Sequence, residues 1–209
     1  MVIGRYDRDD ELIEAVLADR RGRWRVWVPD KAAVVLGLGS RVERELNVDA
    51  CLADGVQILK RDGGGCAVVI EPGQVIVSVV LPTEGLHDNR RYFGELTEWV
   101  IGKLKAAGIE GVAKAGTSDL AVGDKKVGGA CIHRTKDYLY YTTTLLVDPV
   151  VELMERYLKH PPREPEYRRG RRHRDFVMGL REVEEGLTAE ELKRRISENH
   201  EGTKRTDIF

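Results

Sequence analysis

The chain is short of several things at once. Its 209 residues include no apolar run near the roughly 20 residues a membrane-spanning helix needs, which gives the expectation of no membrane partner. The opening MVIGRYDRDDELIEAVL is too acidic and too interrupted for a secretory leader, so a cytoplasmic location is expected. Only three cysteines occur, Cys51, Cys66 and Cys131; they form no C-x-x-C pair and cannot all pair among themselves. That excludes a disulfide framework and reads as reduced thiols. The five histidines lack metal-ligand spacing, which excludes a structural zinc site. A net charge of −1 shows no excess of either sign, so nothing in the balance calls for nucleic acid. Three Asn and two Gln beside 33% charged residues follow a thermophile tendency.

What is present reads as alternating helices and strands. Apolar residues at helical spacing predict helices over 8–20, 92–107, 150–159 and 188–199, with shorter ones over 41–46 and 49–54. Thr188 and Glu191 form a capping box for the last of these, and Gly108 is placed to end the second. Alternating or continuous β-branched runs predict strands at 24–28, 32–36, 56–59, 66–70, 74–81, 120–122, 126–133 and 138–147. Gly123-Asp124 reads as a tight hairpin turn, and His160-Pro161-Pro162 as a stop. The pattern predicts an α+β fold, a mixed and mainly antiparallel sheet flanked by helices. Residues 1–180 are expected to form one catalytic-type domain. Residues 181–209 are expected to be a helical extension packed on it.

Two stretches carry chemistry. In KRDGGGCAVVIEPGQ (60–74), three glycines lie between cations and a strand. Glycine removes the side chain that keeps a ligand from backbone N–H groups, and Lys60 and Arg61 can add charge-assisted bonds to phosphate or carboxylate. A plain flexible loop beside surface cations is an equal reading of this stretch alone. No Gly-Lys-Ser/Thr closes it, so it is not a Walker A loop, and a strand follows where a dinucleotide fingerprint needs a helix. In GTSDLAVGDKKVGGA (116–130), Asp119 and Lys126 flank the hairpin turn and Gly128, Gly129 and Ala130 follow. If both neighbouring strands lie in one sheet, Lys126 reaches an anion held by the first loop. Val68, Ile70, Ile76 and Ser78 alternate beside that loop and read either as tunnel lining or as core. A third stretch, REPEYRRGRRHRDF (163–176), reads as a solvated basic loop, and no RNA-binding module matches it.

Together the two stretches resemble the superfamily of lipoate–protein ligases, octanoyltransferases and biotin–protein ligases. KRDGGGCAVV resembles its Arg-Arg-x-Gly-Gly-Gly segment, and GTSDLAVGDKKVGGA its Gly-Arg-Asn-Asp … Lys-x-x-Gly-x-Ala segment. VVLGLGS (34–40) and TTTLLVD (142–148) resemble its flanking segments, and the last points to the lipoate branch. The resemblance implies a biotin/lipoate ligase-like catalytic domain that attaches lipoic or octanoic acid to a lysine of a lipoyl acceptor domain. The reaction would use ATP and Mg²⁺ and pass through an acyl-adenylate. It implies Lys126 as the catalytic lysine at the acyl carbonyl and α-phosphate. Nucleotide and acyl binding fall to Lys60, Arg61, Gly63, Gly64, Gly65, Cys66, Ala67, Asp119, Gly128, Gly129 and Ala130, with Asp119 a candidate Mg²⁺ ligand. It places the basic segment 163–176 as a lid or as a docking surface for acidic acceptor domains, with the ATP phosphates as another candidate target, and allows a small accessory subunit.

The chain departs from the family pattern in four places. Ile70, followed by Glu71, stands where a His in a His-Asp or Tyr-His pair is frequent, Thr142-Thr143-Thr144 replaces His-Gly-Thr, Ser118 stands for Asn, and Ser40 for Gln. No cysteine falls where octanoyltransferases carry their nucleophile, which favours ATP-dependent ligation. Two alternatives remain: octanoyl transfer from acyl carrier protein, and an inactive ligase-like module that grips lipoyl domains or nucleotide.

Overall fold

The computed structural model describes residues 2–86 and 88–198. In chain order it contains β1 (Gly4–Arg5), α1 (Asp10–Asp19), β2 (Arg23–Trp27), β3 (Ala33–Leu36), α2 (Val42–Glu45), α3 (Val48–Ala53), β4 (Gln57–Lys60), β5 (Val68–Ile70) and β6 (Gln74–Pro82). There follow α4 (Asn89–Ala106), β7 (Ala113–Ala115), β8 (Asp119–Val122), β9 (Lys125–Arg134), β10 (Tyr138–Leu146), α5 (Val151–Tyr157), α6 (His173–Phe176) and α7 (Ala189–Glu198). Single 3₁₀ turns occupy Glu166–Arg168 and Leu180–Glu182.

The strands form two sheets. The larger runs β2-β6-β10-β9-β8-β7 and is antiparallel throughout. The smaller runs β1-β4-β3-β5, with β4 parallel to both β1 and β3, and β5 antiparallel to β3. The fold is therefore α+β and mainly antiparallel, in two sheets where the sequence suggested one.

The continuous apolar run of β6 (QVIVSVVLP) follows from its position between β2 and β10 with both faces covered. Val75, Val77 and Val79 face one way, packing with Leu96, Val100 and Leu104 of α4 and Leu192 and Ile196 of α7. The alternate residues face the other way: Val80 meets Val16 of α1 and Tyr140, while Ile76 meets Val35, Leu59 and Ile70 of the smaller sheet. That sheet's opposite face is closed by α5, through Val34, Leu36, Val69, Met154 and Leu158. The two sheets thus meet across Ile76, and the candidate site lies along this junction.

Element ends follow local chemistry. Gly108 has φ +89° and Ile109 N–H returns to Leu104 O at 2.9 Å, which stops α4. Thr188 caps α7, its Oγ1 accepting from Glu191 N–H at 3.2 Å. The final residue of the predicted 188–199 helix and the rest of the extension, residues 199–209, lie outside the described residues. The strand predicted at 66–70 begins only at Val68, because Ala67 N–H bonds Glu45 Oε2 at 2.6 Å and so belongs to the loop.

Candidate functional site

The glycine loop, residues 61–67, leaves the end of β4 and crosses onto β9 of the larger sheet. The glycines are needed for close approach. A Cβ on Gly63 would lie 2.7 Å from Cys131 Sγ, and one on Gly37 would lie 2.1 Å from Gly65 O. Gly65 itself has φ +94°. Leu38 N–H bonds Gly63 O at 2.9 Å. Glu45, buried, accepts from Ser40 Oγ at 2.9 Å as well as from Ala67 N–H. Ser40, where the family often has Gln, thus ties the 37–40 turn to this loop.

Of the basic pair Lys60 and Arg61, only Lys60 is exposed. Arg61 is 8% exposed. Its Nη1 donates to Val35 O at 3.1 Å, its Nε to Gly64 O at 3.3 Å, and its Nη2 to Gly64 O at 2.8 Å and Cys66 O at 2.9 Å. All three nitrogens are spent on shaping the loop, a stronger fixing than neutral donors would give. Lys60 is exposed at the end of β4, and neither it nor the buried Gly63 or the exposed Gly64 lines the cavity, whereas Arg61 does. Gly65, Cys66 and Ala67 do line it.

The second stretch comes from the facing sheet. β8 and β9 form the predicted hairpin, with Gly123 at φ +58°. Lys126 Nζ lies 2.7 Å from Asp119 Oδ1. Asp119 is buried, and its Oδ2 accepts from Tyr167 OH at 2.9 Å. Burial first, then the Asp119 charge, raises the Tyr167 hydroxyl well above its ordinary range, so it stays a proton donor. The neighbouring glycines answer to packing. A Cβ on Gly129 would lie 2.9 Å from Lys126 Nζ, and one on Gly128 would lie 2.8 Å from Thr144 O. Gly129 therefore makes room for the ammonium, and Gly128 for the β10 backbone. Ala130 N–H donates to Ser118 O at 2.7 Å.

These groups converge on one cavity of about 500 Å³ between the sheets. Asp119, Lys126, Gly128, Gly129 and Ala130 line it opposite Gly65, Cys66 and Ala67. An apolar wall comes from Val68, Ile70, Ile76, Leu146 and Met154. Ser78 is absent from the lining; it is fully buried and donates to Asp9 Oδ2 at 2.7 Å, which Tyr140 OH also reaches at 2.5 Å. Ile70 lines the cavity, whereas Glu71 holds the next turn through Gly73 N–H at 2.6 Å. Thr142 and Thr144 line it, and Thr143 points away to Gly129 O at 3.2 Å.

Cys131 also lines the cavity, and burial pushes its thiol up, against a resident thiolate. Cys66 Sγ lies 3.6 Å from Arg163 O, and Cys51 is buried in the core beyond the smaller sheet. Both oxygens of Asp119 are occupied, and among the described residues no three His, Cys, Asp or Glu side chains group as metal ligands. A Mg²⁺ carried by substrate phosphates ordinarily takes only one or two protein carboxylates, and Asp119 is a carboxylate in this lining.

The remaining wall comes from the basic segment, which composition alone gave as a solvated loop and the resemblance as a lid or docking surface. Segment 163–176 folds across the cavity, and Arg163, Pro165, Arg168, His173 and Phe176 line it. Lys126 is bridged to Val177, and Met178 N–H bonds Lys126 O at 2.9 Å, so the segment ends on the strand that carries the lysine. Burial, then the Arg168 charge, lowers His173 to about 4, leaving it neutral near pH 7. The signal in the sequence was the interleaving of Tyr167 and Phe176 with the arginines, which a solvated loop does not need.

Comparison with known proteins identifies the family and the fold. Residues 6–201 match the lipoyl protein ligase A/B catalytic domain. The lipoate-protein ligase A of Psychrobacter cryohalolentis is 29% identical over 175 residues, 84% of this chain and 49% of that one. The chain spans about half the length of the curated relatives it matches. Among solved structures, the bi-partite lipoate protein ligase of Thermoplasma acidophilum, described with its E2 lipoyl domain, superposes with a TM-score of 0.75 at 19% identity, covering 97% of this chain and 84% of that one. A lipoate-protein ligase A bound with ATP gives 0.73 at 20% identity, covering 91% and 77%. These two likenesses establish the fold. With a match running nearly its whole length, the chain belongs to the lipoyl protein ligase A/B catalytic domain family.

Proposed function

We propose that this chain activates lipoate, or octanoate, with ATP and transfers the acyl group to a lysine of a lipoyl acceptor domain. The observation that carries this reading is the Lys126–Asp119 pair inside one cavity with an apolar wall on one side and the glycine loop on the other. The fatty tail takes the apolar wall, and the carboxylate lies beside Lys126. One carboxylate oxygen attacks the α-phosphate and pyrophosphate leaves. The acceptor amine then attacks the acyl carbon, losing a proton, and AMP leaves. Lys126 stabilises the charge that grows on phosphate and carbonyl oxygens in turn, and a fixed cation in a water-poor site is effective at this. Asp119 holds the lysine until the anionic substrates arrive. Gly65, Cys66, Ala67 and Gly128–Ala130 shape the walls; Arg61 acts through the loop. Mg²⁺ would arrive with ATP.

Thioester transfer from acyl carrier protein is disfavoured by the raised thiol of Cys131. Residues up to 180 carry the chemistry in this reading, and 181–198 brace α4 and β6. The bi-partite description of the Thermoplasma neighbour supports a small accessory chain. The exposed Arg169, Arg172 and Arg174 suit an acidic acceptor surface. Intact mass after incubation with lipoate, Mg-ATP and a lipoyl domain tests the reading. A lipoyl mass gain on the acceptor, lost in Lys126→Ala, is expected. A gain from acyl carrier protein without ATP favours the transferase, and binding without any gain favours the inactive module.

A further inference from the structure

Asp9 breaks a local rule. It stands at the N-cap of α1, where an aspartate ordinarily accepts from amides of the first turn, yet its side chain makes no such bond. The carboxylate is turned into the larger sheet instead, and the residue is 3% exposed. Its Oδ1 accepts from Arg25 Nε at 2.5 Å, and its Oδ2 from Ser78 Oγ at 2.7 Å and Tyr140 OH at 2.5 Å. Strands β2, β6 and β10 thus give one polar group each to a carboxylate from outside the sheet. Ser78 interrupts the apolar run of β6 for this contact.

Register carries the polar line onward. Arg25 pairs with Ser78, Ser78 with Thr142 and Thr142 with Cys131, so the four lie in one row across the sheet. The preceding row, Trp27, Ile76, Thr144 and Gly129, ends where Lys126 Nζ sits. Tyr140 lies four residues along β10 from Thr144, about 13 Å at the rise of a strand. Tyr6, Cys131, Tyr140 and Thr142 all line the cavity. Beyond Tyr140 the space is closed, because Val80 and Tyr140 pack on Val16 of α1. Charges at this end are answered within the protein, Arg25 by Asp9 and Arg61 by carbonyls. A second anion therefore gains nothing here, whereas an alkyl chain reaches it along Ile70 and Ile76.

The span suits a tail of definite length. Extended octanoate measures about 9 Å between its end carbons, at C–C bonds of about 1.5 Å. A contact gap of about 4 Å at the far end fills the remainder. The stop is also stiff. Burial, then the Asp9 charge, raises the Tyr140 hydroxyl well above its ordinary range, so it stays the donor to Asp9. Pushing the ring aside breaks a charge-assisted bond and leaves a buried carboxylate short of a donor.

We propose that the Asp9 network is the end stop of the acyl cavity, holding the Tyr140 ring across its end so that octanoate and lipoate fit and longer straight-chain acids do not. Tyr140 is the specificity-determining wall, and Asp9 is its positioning residue. The inference rests on the acid-activating reading proposed above and deepens it by setting which acids enter.

Acid-dependent ATP–pyrophosphate exchange tests it with hexanoate, octanoate, decanoate and dodecanoate, and lipoate as the reference acid. The proteins are wild type, Tyr140→Leu, Tyr140→Phe and Asp9→Asn. The readout is the ratio of kcat/KM between acids within each variant, which a general loss of folding or turnover does not move. In wild type kcat/KM should rise roughly fifteenfold from hexanoate to octanoate, at about fourfold per buried methylene. It should then fall by about tenfold or more at decanoate. Tyr140→Leu should raise the decanoate-to-octanoate ratio about tenfold, and Tyr140→Phe and Asp9→Asn, which release the ring, about threefold. A wild type that uses dodecanoate as well as octanoate overturns the inference, and so does a ratio that no folded variant changes. If Tyr140→Leu does not fold, Tyr140→Phe decides by the same ratio. Calorimetric titration of the same acids without ATP separates the two levels. Exchange whose length preference ignores Tyr140 overturns this inference alone. No exchange with any acid, while binding still drops from octanoate to decanoate in wild type and not in Tyr140→Leu, overturns the ligase reading and leaves the end stop. Neither exchange nor binding overturns both.

Discussion

Gly129→Ala separates the site from the fold. The added Cβ would lie 2.9 Å from Lys126 Nζ and 3.0 Å from Cε. Comfortable contacts are about 3.5–4.0 Å, so the ammonium must withdraw by about 0.5–1 Å. The backbone has no reason to object. Residue 129 is not among the positive-φ glycines, and it pairs with Thr144 in the ladder. What yields is the end of a flexible lysine, so global stability should change by about 1 kcal/mol or less. Misplacing a catalytic group by about 1 Å costs on the order of 100-fold, or about 2.7 kcal/mol of transition-state stabilisation. Lipoate-dependent ATP–pyrophosphate exchange measures the first step and urea titration the fold. Expected is a kcat lower by about two orders of magnitude on a nearly unchanged unfolding midpoint. Exchange at the wild-type rate would refute the assigned role of the ammonium, and a large loss of stability would refute the claim that only the lysine tip is displaced.

Gly37→Ala should behave in the opposite way, because its Cβ would meet the Gly65 carbonyl oxygen at 2.1 Å and backbone must move; a loss of about 1–3 kcal/mol in chemical denaturation is expected. Cys131→Ala should retain ATP-dependent acylation within about threefold, since no thioester is formed on it; an abolished activity with normal folding would revive the transferase. His173 is lowered from 6.5 to about 4, so the unfolded chain binds the extra proton. Its contribution is complete above pH 6.5 and is lost as the pH falls to about 4, up to about 3 kcal/mol. His173→Asn should flatten that slope in urea midpoints taken across this window, and an unchanged slope would contradict the burial argument.

Much of this was legible in the sequence because local rules and packing agree. Period and punctuation place α4, α7, β6 and the β8–β9 hairpin, and the Asp119–Lys126 spacing across a tight turn brings the pair onto adjacent strands. The two-sheet arrangement was not legible, because β3 and β5 read the same whether they join the larger sheet or face it. The burial of Arg61 was not legible for a related reason: its partners are carbonyls of residues 35, 64 and 66, and backbone acceptors leave no trace in side-chain identity. Gly129 reads as space for a ligand until the neighbouring lysine is seen to occupy that space. The arginine-rich segment reads as solvated because charge count hides burial. Only the fold shows that Arg168 stacks on Phe176, and Tyr167 reaches Asp119 across 48 residues of chain.

In the proposed reaction an acyl group and a phosphate meet at Lys126. A crystal structure with a non-hydrolysable lipoyl-adenylate analogue tests it most directly. The expected result places the analogue in the junction between the sheets, with Lys126 Nζ within about 3.2 Å of both the acyl carbonyl and the phosphoryl-position oxygen and the acyl tail against Ile70, Ile76 and Met154. An analogue bound elsewhere, or bound there with Lys126 still held by Asp119 and touching neither oxygen, would contradict it.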